Sequence, residues 1–176
     1  FKKLLLFLVL AALMLPIGVL AQDENDDEDE MVEVNKTGPK YGEDSVSCVQ
    51  NLSLYREYYK NWKKTRNDEY IKDAIGPWRW CFINCPISSQ NLYIDGSNIV
   101  KYMIRNAPDA AAKEALIDTL MMLYDRRIEA FGRQGYVLER KTQDMIAYRP
   151  KATSDIYNTA KKSFELRGNK AGAPVL

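Results

Sequence analysis

The sequence contains no histidine among its 176 residues. This excludes imidazole general bases, Ser-His and Cys-His nucleophile pairs, and most zinc and haem sites. The chain also lacks a Gly-rich phosphate loop and the nucleophile elbow of hydrolases. It has only three cysteines, and its 46% of hydrophobic residues is the composition of an ordinary folded domain. We therefore predict that the protein is not an enzyme and that it holds no cofactor or metal.

Residues 1–21 are predicted to be a signal peptide. Two lysines precede an unbroken apolar run over residues 4–15, and Ala21 ends a stretch that a signal peptidase would cut. A membrane-spanning helix is the alternative, but it needs about 20 apolar residues, and acidic residues already begin at Asp23. We predict an exported protein of the periplasm or outer membrane, without a transmembrane span in the mature chain.

Residues 22–44 are predicted to be a disordered acidic linker. Carboxylates occupy seven of the eight positions 23–30, repel one another and cannot bury apolar area. A calcium site is the alternative, but the run lacks the glycine turn and the spaced ligands of such a site. Behind it, residues 31–176 carry 23 basic and 17 acidic side chains, a net charge of +6. That charge favours anionic partners, or it holds the chain's own acidic tail. Nucleic acid is not expected as the partner of an exported protein.

Hydrophobic periodicity predicts six helices and no strand from residue 45 onward. Ser47 and Gln50 are expected to form a capping box at the first helix. Ser88 or Ser89 is expected to cap the third helix, and Thr153 or Ser154 the sixth. The predicted helices cover residues 47–62, 69–84, 90–106, 109–131 and 136–148, and a sixth ends at Gly168. The second either begins or is kinked at Gly76-Pro77, and the kink is favoured.

Ala74 and Trp78 of the second helix and Pro86 after its end stand at offsets of 0, +4 and +12. Ala160 and Phe164 repeat the first interval. A small residue followed one turn later by an aromatic lets two helices interlock. This pattern resembles the tetratricopeptide-repeat (TPR) family, whose repeat ends in A-x3-F…P. Residues 48–170 resemble its exported members in Gram-negative bacteria, on the segments CVQNLSLY (48–55) and PWRWCFINCP (77–86).

The resemblance implies antiparallel helix hairpins over residues 45–176, stacked into a right-handed superhelix. Its concave face would bind peptides or protein segments, without catalysis. Such hairpins need neighbours to cover their apolar faces. Residues 171–176 read like the start of another helix, so we expect the chain to be a fragment of a longer array.

Cys48 begins the first predicted helix and Cys85 ends the second, and these two ends lie side by side in an antiparallel hairpin. An exported protein meets oxidising conditions, so we predict a Cys48–Cys85 disulfide. Cys81 lies one turn from Cys85 on the same face, which leaves Cys48–Cys81 as the alternative. The C-x3-C spacing does not match a thioredoxin-like redox motif.

Aromatic residues are dense between Tyr55 and Tyr93. They form either a ligand-stacking face or, as in most helical repeats, the packing between helices. Tyr58 and Trp80 are the aromatic candidates for partner binding. The nearby Tyr59 and Trp78 fit better on the buried faces of their helices, which leaves Tyr58 and Trp80 more accessible. The charged candidates are Arg56, Arg79, Arg126 and Arg127.

The basic pairs Arg126-Arg127 and Arg140-Lys141 fall on adjacent predicted helices and are interpreted as ordinary surface charge, with an anion-binding patch as the alternative. The first hypothesis is a non-catalytic envelope scaffold that binds another envelope protein or a peptide segment. The alternatives are a glycan or small-ligand binding module of an uptake system and the helical domain of a larger enzyme.

Overall fold

The computed structural model describes residues 38–172, which contain six α-helices, a terminal 3-10 turn and no strand. This confirms the predicted all-α class. The predicted signal peptide, the acidic run 23–30 and residues 173–176 lie outside the described residues. Among residues 38–172, no helix combines the length and the apolar character that crossing a membrane requires. The helices are α1 Ser45–Thr65, α2 Asp68–Asn84, α3 Asn91–Arg105, α4 Ala110–Phe131, α5 Gln134–Tyr148 and α6 Thr153–Arg167.

Consecutive helices pack as three hairpins, α1–α2, α3–α4 and α5–α6, and the α2–α3 and α4–α5 contacts join one hairpin to the next. The short loops make the paired helices antiparallel. In the last hairpin, Ser163 near the end of α6 donates a 2.8 Å hydrogen bond to the carbonyl of Gly135 at the start of α5. The fold is therefore a linear series of hairpins, in which each helix contacts mainly its neighbours in the chain.

The first hairpin is closed by the disulfide that its geometry predicted. Cys48 in the first turn of α1 is bonded to Cys85, directly after α2, with their Cα atoms 6.3 Å apart. Cys81 stays free and buried, with its sulfur 3.8 Å from the carbonyl of Cys48. Burial raises the pKa of the Cys81 thiol to about 11, so it is not a reactive thiolate at neutral pH.

The predicted helix caps are wrong in three places. Asp44, not Ser47, caps α1 by accepting a 2.9 Å hydrogen bond from the Ser47 backbone N–H. Helix α3 follows Gln90 and α6 follows Ala152, and neither has a side-chain cap. A backbone turn leads into each: Leu92 N–H donates to the Ser89 carbonyl, and Ala152 N–H to the Arg149 carbonyl. A turn that continues directly into a helix leaves no need for a serine or threonine at that position.

Helix α2 passes through Pro77 and begins nine residues earlier, where Asn67 accepts from the Glu69 backbone N–H. It therefore does not begin at Gly76-Pro77. Trp78 lies against α3, because its indole donates a 2.9 Å hydrogen bond to the Leu92 carbonyl. Gly96 makes this approach possible, since a Cβ there would lie 2.6 Å from the indole nitrogen.

Most of the aromatic residues serve the core. Phe82 stacks on Trp78 at 5.7 Å between ring centroids, Tyr93 meets Phe82 edge-on at 5.7 Å, and Phe131 meets Tyr93 edge-on at 5.8 Å. This series joins α2, α3 and α4. Val49 follows the buried Cys48 directly but is 48% exposed. Adjacent helix positions differ by about 100°, so Val49 lies off the buried stripe that Cys48, Leu52 and Tyr55 share.

Candidate functional site

A polar cleft of about 390 Å³ opens between α3, α4 and α5. Helices α3 and α5 each contribute one face at helical spacing, and α4 forms the floor. This volume is at the lower end of the range of ligand pockets, roughly 300–1,000 Å³. The walls are Ile94, Ser97, Asn98 and Lys101 from α3, Tyr124 and Arg127 from α4, and Tyr136, Arg140, Gln143 and Asp144 from α5.

Arg127 is the most unusual residue of this cleft. Its side chain is only 5% exposed, and its Nε has no hydrogen-bond partner among residues 38–172. Burial lowers the pKa of the Arg127 guanidinium, and the charge of Arg133 lowers it further. No carboxylate of the described residues forms an ion pair with it. A buried cation without a counter-ion is unfavourable in the free protein and suits an anionic ligand.

Tyr136 is surrounded by four guanidinium groups. Its ring centroid lies 5.6 Å from Arg127, 5.0 Å from Arg133, 5.1 Å from Arg140 and 5.3 Å from Arg167. Cation–π attraction holds such groups near the ring. The charge of Arg167 is offset by Glu139 at 3.2 Å, so the positive potential at this end of the cleft is assigned to Arg127 and Arg140.

Asp144 is the one carboxylate among the residues that line the cleft, and it already has partners. Lys101 donates to it at 2.7 Å and the Tyr124 hydroxyl at 2.5 Å. Burial and the charge of Asp144 raise the pKa of Tyr124, so the phenol stays protonated and remains a donor. Asp144 therefore offsets Lys101 and leaves Arg127 and Arg140 available.

Arg140 lies at the mouth of the cleft with an exposed side chain. It donates only weakly, at 3.3 Å to the Tyr136 hydroxyl and at 3.5 Å to Gln143. A guanidinium forms much stronger bidentate hydrogen bonds with a carboxylate. The cleft therefore has one guanidinium group inside, from Arg127, and a second at its opening, from Arg140.

One residue of the cleft wall, Asn98, contacts α1 by donating a 3.0 Å hydrogen bond to the Tyr59 hydroxyl. Beside it, burial raises the pKa of Asp95 to about 6, and the charges of Lys63 and Arg56 oppose this rise. The hydroxyl of Tyr55 is buried there without a hydrogen-bond partner among the described residues. Arg56, a predicted binding residue, thus lies near Asp95 and Tyr55 and is not among the residues that line the cleft.

Of the six candidate binding residues, only Arg127 is among the residues that line the cleft. Tyr58 and Trp80 are half-buried and pack against the core. Arg79 is exposed on α2, and Arg126 is exposed over the Phe82 ring at 5.1 Å. Arg127 is buried, so Arg126 and Arg127 do not form the exposed patch that their sequence suggested. They point in different directions, and only Arg127 reaches the cleft.

Other charged clusters are paired. Arg149 donates to Glu114 at 2.8 Å and also contacts Asp118, and Lys141 bonds to Asp125 at 2.5 Å. A second cleft, between α4, α5 and α6, contains these two neutralised cations. Within residues 38–172, no group of three or more acidic or cysteine side chains is placed to hold a metal.

The sequence contained a signal for the cleft that its interpretation missed. Arg127 stands three and four residues after Tyr124 and Leu123, on the buried stripe of α4. A charged residue on an apolar stripe is more informative than one on a charged face. Polar residues also recur at helical spacing in α3 (97, 98 and 101) and in α5 (136, 140, 143 and 144).

Comparison of the chain with protein-family models, with curated proteins and with solved structures finds no match. The cleft is therefore interpreted from its own residues.

Proposed function

We propose that this protein is a non-catalytic helical scaffold of the cell envelope that binds an acidic segment of a protein partner in the α3–α4–α5 cleft. The observation that carries the proposal is the buried Arg127, which has no counter-ion among residues 38–172 and lines a polar cavity. A carboxylate of the partner would supply that counter-ion. Arg140 at the mouth would bind a second carboxylate, as guanidinium groups do in a bidentate manner.

The remaining walls suit the backbone of a peptide. Ser97, Asn98 and Gln143 offer hydroxyl and amide groups, which both donate and accept hydrogen bonds. The TPR resemblance supports the same use, because α3 and α5 would be the first helices of consecutive repeats, and that family binds peptides on the face these helices share. The disulfide and the predicted signal peptide support an oxidising, extracytoplasmic location.

A glycan-binding function is less well supported by the geometry. The aromatic residues that would stack on sugars, such as Trp78, Phe82 and Tyr93, are buried against one another. Tyr58 and Trp80 retain partial exposure, but they lie outside the cleft.

The test is the binding of a fluorescent peptide rich in Asp and Glu, compared with the same peptide carrying Asn and Gln. We expect the acidic peptide to bind and the amide peptide to bind at least tenfold more weakly, since each charge-assisted hydrogen bond contributes about 1.5–3 kcal/mol. Arg140→Gln should weaken binding about tenfold. Lys161→Gln is the control, because it removes one exposed positive charge on α6, away from the cleft.

Equal losses in Arg140→Gln and Lys161→Gln would show nonspecific attraction and contradict the proposal. An acidic oligosaccharide that binds where the peptide does not would favour the glycan alternative. With a positive result, capture of partners from envelope extract by the wild type and by Arg140→Gln would identify the protein that the cleft selects.

A further inference from the structure

We infer that the chain's own acidic run, residues 23–30, occupies the α3–α4–α5 cleft and competes there with an external acidic partner. The inference rests on the proposed function of the cleft as a binding site for carboxylates. It identifies the first ligand of the site as a segment of the same molecule, so that binding of a partner requires displacement of this segment.

Charge complementarity supports this assignment. The run has seven carboxylates in eight positions, and the described body, residues 38–172, carries 22 basic and 16 acidic side chains. Many cations outside the cleft already have acidic partners, among them Lys72, Lys141, Arg149 and Arg167. No ion pair joins Arg127 to a described carboxylate, and Arg140 has only the nearby charge of Glu139. Arg127 differs from the exposed cations elsewhere because it is buried, so a carboxylate of the run that reaches it forms a charge-assisted hydrogen bond away from water.

The length of the chain permits the contact. Residues 39–42 form a turn beside the end of α2, because Gly42 N–H donates to the Pro39 carbonyl and a Cβ at Gly42 would lie 2.2 Å from the Asn84 carbonyl oxygen. The edge of the cleft lies near Tyr59, fifteen residues along α1 from Asp44 and therefore about 22 Å along its axis. Twelve residues, from Asp26 to Gly38, span up to about 40 Å.

A tethered ligand of this kind has a large effect on competition. Short flexible linkers give effective concentrations in the millimolar range. If the run binds with a dissociation constant of about 0.1 mM, it weakens an external competitor about tenfold. The run therefore need not bind tightly to compete with weak acidic ligands.

The first experiment locates the run by carbodiimide cross-linking, which joins a carboxylate to an amine in direct contact. The exported, processed chain is prepared with Arg140→Lys, which places an amine at the mouth of the cleft, or with Arg126→Lys, which places one on the exposed side of α4. We expect amide bonds from position 140 to residues 23–30 within monomers, and at least fivefold fewer from position 126. Equal yields at both positions, or cross-links found only in dimers, would overturn the inference.

The second experiment measures competition in the complete chain. Changing the seven carboxylates of the run to Asn and Gln should raise the affinity for the acidic peptide about tenfold in the wild type and less than twofold in Arg140→Gln. An equal rise in both backgrounds would indicate long-range repulsion only and would contradict occupation of the cleft. If the wild type and the neutralised chain bind the peptide equally, the inference fails and the proposed function stands. If neither binds it, the proposed function fails, and the cross-links alone decide whether the run contacts the cleft.

Discussion

In a chain whose acidic run 23–30 is neutralised to Asn and Gln, and so cannot supply a counter-ion, replacement of Arg127 by methionine should stabilise the protein and abolish binding of anions. In the free protein this side chain is 5% exposed, its Nε has no partner among the described residues, and burial lowers its pKa. An unsatisfied buried donor destabilises a protein by about 1–3 kcal/mol, more for a charged group. Methionine is unbranched and adapts to irregular space, so it can occupy the position of the arginine stem.

One favourable contact is lost in the variant. The Arg127 guanidinium lies 5.6 Å from the Tyr136 ring centroid, a contact that contributes about 0.5–2 kcal/mol. The difference predicts that Arg127→Met increases the free energy of unfolding by about 1 kcal/mol. For a domain of this size, the melting temperature should rise by about 3 °C.

The matched control is Arg126→Met, at the next position of the same helix. Arg126 is exposed over the Phe82 ring, and surface substitutions usually change stability by less than about 0.5 kcal/mol. Urea unfolding followed by circular dichroism gives both values. A loss of 1 kcal/mol or more in Arg127→Met, with Arg126→Met unchanged, would refute the reasoning, because it would mean that the arginine is satisfied in the free protein.

The same pair of variants tests the function of Arg127. An anion that binds only the folded state stabilises it by about 1.4 kcal/mol at ten times its dissociation constant. Sulfate or the acidic peptide should therefore raise the melting temperature of the wild type and of Arg126→Met, and leave Arg127→Met unchanged.

Three further outcomes follow from the packing and the ionisable groups. The double variant Cys48→Ala/Cys85→Ala should lower the free energy of unfolding by about 3–4 kcal/mol, because the disulfide closes a loop with a sequence separation of 37. Thiol titration of the denatured wild type should find one free cysteine. Three free cysteines would contradict the disulfide. Gly96→Ala should lower the free energy of unfolding by about 1–3 kcal/mol, because the new methyl group clashes with Trp78. This loss is expected even though alanine favours a helix over glycine by up to about 1 kcal/mol. A variant that is more stable in urea unfolding would disprove the close contact. Asp95→Asn should increase the free energy of unfolding by about 1–2 kcal/mol at pH 8. The pKa of Asp95 in the folded protein, about 6, is above the ordinary value of 3.8, so the wild type loses stability as the pH rises from about 4 to 6. Urea unfolding at pH 4 should therefore show no gain.

Hydrophobic periodicity was sufficient to predict the helices because each hairpin buries one stripe of each helix. The predicted limits of α4, residues 109–131, match Ala110–Phe131, with Asp109 as its cap and Gly132 after its end. The caps of α3 and α6 were wrong because a nearby serine or threonine does not reveal whether a backbone turn already leads into the helix. The disulfide could be predicted because it depends only on which helix ends are adjacent.

The cleft was not predicted, because it depends on the relation between hairpins. Neighbouring arginines at 126 and 127 look equivalent in the sequence, but the helix turns about 100° between them. Only the packing of α3 and α5 against α4 decides which one is enclosed. Lys101 and Asp144, 43 positions apart in the chain, meet at 2.7 Å for the same reason.

Buried polar groups and aromatic packing are distributed unequally along the chain. Of the six buried polar or charged residues among those described, five lie in α4, α5 and α6, whereas the disulfide and most of the aromatic contacts lie in α1, α2 and α3. In a linear series of hairpins, each hairpin is stabilised mainly by its interfaces with the adjacent hairpins. The rigid first hairpin can therefore support α3, and α3 supports one wall of the cleft. It cannot offset the cost of burying the Arg127 charge, which remains local to α4 until a carboxylate binds in the cleft.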